Sequence, residues 1–314
     1  MNSRDPKKIA AQSRWKLLQS VILSSSNTQN KKILINSTSD INDIYTSQIS
    51  QRQHRGFNLF SLQKKDLTSE EWFTYDLHDH LTLNVRIKIP KAIDLKTSFT
   101  SEYSGFLNTG NICIWPAEEV LGYYCMKNEK LFRNKNVCEL GGGMCALAGL
   151  IVAAKCHPQS VTLTDGNPNC VNNIQTILNS NKDLFFDVDI CSMQMLWNKN
   201  TVYDTKYDIV ICADCTFDKE THHHLLHVVR SILKKPTSND KSDESLFILC
   251  APHRGDSLQA FITLLESINE FRVELLVKYD DKIWQCHERS LKEEQGYYDK
   301  DIHYPLIMCA SWNL

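Results

Sequence analysis

The stretch Val137-Cys138-Glu139-Leu140-Gly141-Gly142-Gly143 decides the fold. A largely apolar strand carrying an acid runs into three glycines, and an apolar segment from Cys145 to Ala154 follows. This is the pattern of a first strand, tight turn and helix in a nucleotide-type pocket. Glycine suits the turn because a Cβ would hold the backbone away from a ligand, and the helix behind it begins with free N–H groups. Asp165, which closes Ser160-Val161-Thr162-Leu163-Thr164-Asp165, lies 22 residues beyond Gly143. An acid so placed on the next strand hydrogen-bonds ribose hydroxyls. An ordinary βα turn would also explain the glycines, and the spaced acid weighs against it.

Gly141-x-Gly143-x-x-Ala146 satisfies the degenerate dinucleotide fingerprint as well, so the glycines leave two cofactors open. Nicotinamide domains usually place this turn near their N-terminus. Here more than a hundred residues precede it, which favours S-adenosylmethionine over a nicotinamide dinucleotide.

The chain has 314 residues and 42% hydrophobic content, enough for a sizeable core in one large domain with an appendage or in two small domains. No apolar run approaches the roughly 20 residues that a transmembrane helix needs, and no hydrophobic secretory leader is present. The expectation is a cytoplasmic protein, or one also nuclear, that is monomeric and has no membrane partner. A mitochondrial leader is a minor alternative, suggested by an acid-poor, Ser-rich start. The twelve cysteines are scattered singly, as at Cys113, Cys138, Cys156 and Cys250, and read as small buried hydrophobes. Cys212-Ala213-Asp214-Cys215 has redox-motif spacing but lacks the second pair of a zinc site. No metal is expected.

Residues 1–65 hold eleven Lys/Arg against three acids, a surplus of +8 that leaves −10 for the remainder of a chain of net charge −2. An acidic partner is the natural contact for such an arm, although a solvated, partly disordered arm would share this composition, above all over residues 24–43. Trp15, Leu18 and Ile22 recur at helical spacing and predict a short amphipathic helix.

Strict apolar alternation from Leu81 to Ile89 predicts a half-buried strand, with Trp72 to Leu77 as its partner. A short strand over 111–115 precedes a helix over 116–127, which Pro116 opens and Glu118 and Glu119 favour at its N-terminus. From residue 136 onward strands (136–140, 160–165, 187–191, 207–214, 246–252) alternate with helices (144–156, 168–180, 219–234), predicting a parallel sheet covered by helices. After a helix over 257–268, strands over 272–279 and 303–312 are separated by a charged stretch with no apolar crossover helix, so they should pair antiparallel at the sheet edge. The organisation is a basic arm (1–67), a β ribbon (68–107) and an α/β domain (108–314).

Ligands of open α/β sheets bind beyond the carboxyl ends of the strands, at the topological switch point. Two strand ends are therefore singled out, Glu139 to Gly143 and Ile211 to Phe217. Methyl transfer from a sulfonium needs orientation and water exclusion more than acid–base work. Asp214 can align an incoming amine while Phe217 walls its alkyl stem; a capping aspartate and a core phenylalanine are the plainer alternative. Trp197 can stack on an adenine or fill the core. His222, His223, His224 and His227 point in different directions on a helix and lack a third ligand, so they read as its surface.

Trp115-Pro116-Ala117-Glu118-Glu119-Val120-Leu121, Cys138 to Met144, Leu163-Thr164-Asp165-Gly166-Asn167 and Cys212 to Cys215 together resemble the seven-strand protein-lysine methyltransferases. Arg14-Trp15-Lys16-Leu17-Leu18, Phe57-Asn58-Leu59-Phe60-Ser61 and His303-Tyr304-Pro305-Leu306 extend the likeness to the branch that acts on calmodulin, from near residue 14 to the end. The resemblance implies a Rossmann-like class I methyltransferase sheet of seven strands with an antiparallel terminal hairpin, plus a small N-terminal α+β extension. It implies S-adenosylmethionine held by Glu139, Gly141, Gly142 and Gly143, with Asp165 at the ribose and Trp115, Trp197 and Ala213 lining the pocket. It also implies Asp214 and Phe217 as catalytic residues and trimethylation of calmodulin, whose strong acidity suits the arm. Related enzymes carry Asp-x-x-Tyr where this chain has Asp214-x-x-Phe217, which leaves no role there for a hydroxyl.

Three rivals differ in chemistry. An amino-methylating nucleic-acid enzyme typically shows Asn/Asp-Pro-Pro-Tyr/Phe where this chain has Asp214-Cys215-Thr216-Phe217 without prolines, so no nucleic-acid partner is expected. A non-enzymatic module of the same fold would have no need of intact glycines and both acids. A nicotinamide dehydrogenase would have no protein substrate.

Overall fold

The computed structural model describes residues 57–64, 72–87, 114–237, 244–293 and 298–313. Most of the basic arm, including the helix expected around Trp15 to Ile22, and residues 111–113 of the strand expected over 111–115 lie outside the described residues, while residues 114–115 are not in a strand.

Three short strands, β1 (Ser61–Lys64), β2 (Trp72–Asp76) and β3 (Thr82–Arg86), form an antiparallel sheet in that order. The alternation that predicted the ribbon is realised physically, since Phe73, Tyr75, Leu83 and Val85 are buried. β1 falls inside the stretch expected to be arm, and its pairing with β2 follows from how residues 57–60 are held. Helix α1 (Pro116–Lys127) carries Glu119 in its first turn, and that carboxylate accepts the backbone N–H groups of Phe57 at 3.2 Å and Leu59 at 2.7 Å. Phe57, Leu59 and Phe60 are thereby buried, and the chain enters β1 from the core.

The main sheet has seven strands: β4 (Asn136–Leu140), β5 (Ser160–Asp165), β6 (Asp189–Gln194), β7 (Ile209–Ala213), β8 (Leu246–Ala251), β9 (Phe271–Leu276) and β10 (Leu306–Trp312). Their order is β6-β5-β4-β7-β8-β10-β9. The first five are mutually parallel, and β10 runs antiparallel to both β8 and β9. The chain thus builds outward from β4 through β5 to β6, then crosses to β7 on the other side. This places the switch point at the carboxyl end of β4. Val161, Leu163, Val210, Ile211, Phe247 and Ile248 are buried, as strands covered on both faces require.

Helices α2 (Leu147–Lys155), α3 (Pro168–Ser180), α4 (His222–Ile232) and α5 (Ser257–Ser267) cover the sheet. The expected helix over 144–156 begins three residues late because Ala146 adopts a left-handed φ of 50° that ends the glycine turn. The charged stretch before β10 contains a helix, α6 (Asp281–Glu293), followed by the single turn α7 (Lys300–His303). Ile283 and His287, one helical turn apart, are the buried residues of α6. So narrow a stripe, half of it a histidine, does not stand out against the charge around it. The antiparallel pairing of β9 and β10 stands regardless, because β10 lies between β8 and β9 in the sheet. No described helix is long and apolar enough to cross a membrane.

Candidate active site

A cavity opens at the carboxyl ends of β4, β5, β6 and β7. Trp115, Gly141, Gly143, Asp165, Trp197, Ala213, Asp214 and Phe217 all line it. Eight of the ten residues singled out as a site therefore meet at one place, from segments up to about a hundred residues apart in sequence. Glu139 and Gly142 do not line it.

The glycine turn is built for close approach. Gly141 and Gly143 have φ of 64° and 58°, a region that a Cβ disfavours. A Cβ on Gly141 would stand 2.8 Å from Cys215 Sγ and 3.2 Å from Trp197 Cζ2. The turn is also tied down, since Gly142 N–H donates to the Thr164 carbonyl at 2.8 Å. Gly143 N–H donates to Asp165 Oδ2 at 2.9 Å, and Asn167 N–H donates to Asp165 Oδ1 at 2.8 Å. Burial raises the Asp165 pKa, and those two N–H groups oppose the shift. Each carboxylate oxygen has a second lone pair, so Asp165 can still accept hydroxyl protons from a ligand.

Glu139 sits behind the turn. Its Oε2 accepts the Gly149 N–H of α2 at 2.9 Å, while its Oε1 is buried with no hydrogen-bond partner. Burial and then the neighbouring Glu118 push its pKa well up. Its geometry supports the α2 N-terminal half from below, whereas Glu118, not singled out from sequence for the cavity, does line it. Glu118 Oε1 accepts the Leu147 N–H at 2.5 Å and so serves the first free donor of α2 from α1. Burial pushes its pKa up to about 8.

The β7 end carries the second half of the site. Asp214 has a left-handed φ of 51° and its side chain faces Arg254, whose Nε donates to Oδ1 at 2.8 Å and whose Nη2 donates to Oδ2. The plainer reading of Asp214 as a helix cap fails, because Asp218, not Asp214, caps the turn that leads into α4. The Thr216 carbonyl accepts from His222 Nε2 at 2.9 Å and from Ser257 Oγ, which fixes the turn. His222 is therefore buried rather than a surface residue, with its pKa lowered by burial. His224, also read as helix surface, lines the cavity. Phe217 lines the cavity at its lip and is 37% exposed, so it does not fill the core.

Arg254, Glu118, His222 and His224 were not legible as site residues. The available signal for Arg254 was its place three residues past the end of β8, the same strand-end rule that picked out Asp214.

Glycines that leave the backbone bare, an acid at the end of β5 engaged on only part of its lone pairs, and the Trp115 and Trp197 rings fit S-adenosylmethionine. Fold and site define an S-adenosylmethionine-dependent class I methyltransferase. The chain belongs to the lysine methyltransferase family, whose sequence pattern matches residues 104–268, and this closes the dinucleotide alternative. It is 32% identical over 307 residues to calmodulin-lysine N-methyltransferase of Arabidopsis thaliana, covering 94% of each chain. It is also 26% identical over 194 residues to a human protein-lysine N-methyltransferase, covering 57% of each. To a protein N-terminal and lysine N-methyltransferase of Candida glabrata it is 24% identical over 200 residues, 62% of this chain and 75% of that one.

Proposed function

We propose that this lysine methyltransferase acts on calmodulin. The observation that carries the reading is near end-to-end similarity to an enzyme of that specificity, 94% of both chains at 32% identity. A surplus of +8 on residues 1–65 supports it, because opposite charge draws an acidic protein toward the arm. We further propose a cytoplasmic monomer.

S-adenosylmethionine, when bound, supplies an electrophilic methyl group on a positively charged sulfur. The roles proposed for this chain's residues are binding and orientation. Gly141 and Gly143 let the backbone approach the cofactor, Asp165 accepts from its ribose, and Trp115 and Trp197 wall it from water. Asp214 accepts an N–H of the incoming amine, and Phe217 covers the alkyl stem of the lysine at the lip.

The test is to incubate the purified protein with labelled S-adenosylmethionine and calmodulin, and to map the label by peptide mass. Label on one calmodulin lysine is expected. Label on other lysate proteins with none on calmodulin would refute the substrate. Asp214→Ala should lose most turnover while keeping its affinity for S-adenosylhomocysteine within a few-fold; near wild-type turnover would remove Asp214 from the chemistry.

A further inference from the structure

Arg254 belongs to no motif of the sequence and does not line the cavity, yet both prongs of its guanidinium close on Asp214. This is the planar two-point geometry that arginine alone offers a carboxylate. Asp214 is 7% exposed and the Arg254 side chain 24%, so the pair is sheltered and little weakened by solvent. The backbone is bent at both ends to make it. Asp214 and Arg254 have φ of 51° and 46°, a conformation that non-glycine residues rarely keep unless the surroundings impose it. The Arg254 turn is anchored from α7, with Arg254 N–H donating to the Asp301 carbonyl at 2.7 Å and Gly255 N–H to Asp301 Oδ2 at 2.6 Å. The guanidinium also lies 5.4 Å from the centre of the Trp115 ring, part of the cavity wall.

The pair matters because of what a lysine brings. An isolated Asp214 carboxylate would stabilise the ε-ammonium and raise its pKa, and an ammonium has no lone pair with which to attack. Arg254 cancels the carboxylate charge but leaves its oxygens able to accept from a neutral amine. We propose that Arg254 is the positioning residue that sets the protonation state of the acceptor lysine: paired with it, Asp214 orients the amine without holding it as the cation. The N–H bond breaks as the lysine enters, its electron pair stays on nitrogen, and the proton leaves to solvent water. This inference rests on the lysine-methylating role assigned above.

Other titratable groups surround Asp214. Cys215 on its own turn and Cys250 on β8 have thiol pKa values pushed well up, the first mainly by its hydrogen bond with Cys212 and the second by burial. Glu118 on α1, Asp165 after β5 and His224 on α4 line the same cavity. Lys219 and Asp256 pair with each other at 2.7 Å. All remain in place in the Arg254 variants, and R254K, which keeps the charge that acts on them, is the control for their titration.

The experiment measures kcat for methylation of calmodulin from pH 6 to 10 in the full chain as wild type, R254K and R254M, because kcat reports groups in the bound complex. In R254M the acid limb should move up by about one unit, a loss of roughly tenfold near neutral pH that recovers at high pH. R254K keeps the charge and should keep the limb. As a readout apart from turnover, calorimetry of calmodulin binding to the S-adenosylhomocysteine complex at pH 8, in two buffers of different ionisation enthalpy, should show more proton release for wild type than for R254M. Should R254M fail to fold, R254Q, which keeps a donor for Asp214 without the charge, carries the same expectation. An equal loss at every pH with equal proton release would make Arg254 a structural anchor and overturn the inference. A wild type that methylates no calmodulin would refute the substrate reading itself, whereas an active wild type with an unmoved limb in the variants refutes only the role of Arg254.

Discussion

Asp165 accepts the Gly143 N–H at 2.9 Å across 22 residues of sequence, so the acid proposed to accept from the ribose also fixes the turn proposed to face the rest of the cofactor. Its other oxygen holds Asn167, whose own side chain caps α3 by accepting from Asn169 N–H at 2.9 Å. Asp165→Ala should therefore cost both a ligand contact and the order of the turn. A hydrogen bond to a charged group contributes about 1.5–3 kcal/mol, which corresponds to roughly 10- to 100-fold in Kd for S-adenosylhomocysteine. Calorimetry showing wild-type affinity in Asp165→Ala would rule out its place at the ribose.

Gly141→Ala tests the cradle from the other side. The added Cβ meets Cys215 Sγ at 2.8 Å and Trp197 Cζ2 at 3.2 Å, and the φ of 64° adds a left-handed penalty of about 1–2 kcal/mol. Because the displaced groups both line the cavity, the expected result is a lower Tm together with loss of cofactor affinity. A drop in Tm with binding intact would mean that Trp197 and Cys215 yield without the ligand noticing.

The fold was legible wherever burial imposed a period. Leu83 and Val85 alternate with polar neighbours in β3, as Val161 and Leu163 do in β5, β4 is largely apolar and runs into the glycines, and β7 and β8 are continuous apolar runs, so all five stand out. β6 was expected over 187–191 and lies at Asp189–Gln194, because an edge strand with Met193 and Gln194 exposed leaves no apolar run to mark its end. Helix α6 was hidden for the same reason. In the site, glycines and strand-end acids could be seen because their chemistry is local. Arg254 could not, since its significance lies in meeting a residue 40 positions away, and the buried role of His222 depends on the Thr216 carbonyl beneath it.

Glu118 gives a pH prediction. Its pKa rises from an ordinary 4.5 to about 8 through burial. Below pH 4.5 the carboxyl is protonated in both folded and unfolded chains and contributes no penalty. Between about 4.5 and 8 the unfolded chain loses the proton while the folded one keeps it, so this group lowers stability as pH rises, with a slope of up to about 1.4 kcal/mol per unit. Glu118→Gln retains an oxygen for Leu147 N–H and removes the titration. Its Tm relative to wild type should therefore climb from pH 5 to 8 and be level near pH 4. A constant difference across that range would show that Glu118 ionises normally.

The arm makes its prediction through charge alone. Its surplus of +8 stands against −10 elsewhere, and attraction between separated charges is screened over a Debye length of about 10 Å in 0.1 M salt. Methylation of calmodulin at low substrate should fall as salt rises, since encounter rates steered by opposite charge are the first to suffer. Reversing Lys7, Lys8, Lys31 and Lys32 to Glu should raise KM and flatten that salt dependence. Affinity for S-adenosylhomocysteine should stay unchanged, because the charge reversal acts on the encounter with the protein substrate and not on cofactor binding. The comparison separates recognition from chemistry: an unchanged KM and salt profile in the reversal variant would take substrate attraction away from these lysines and direct the search to the basic residues from Lys278 to Lys292, beside and along α6.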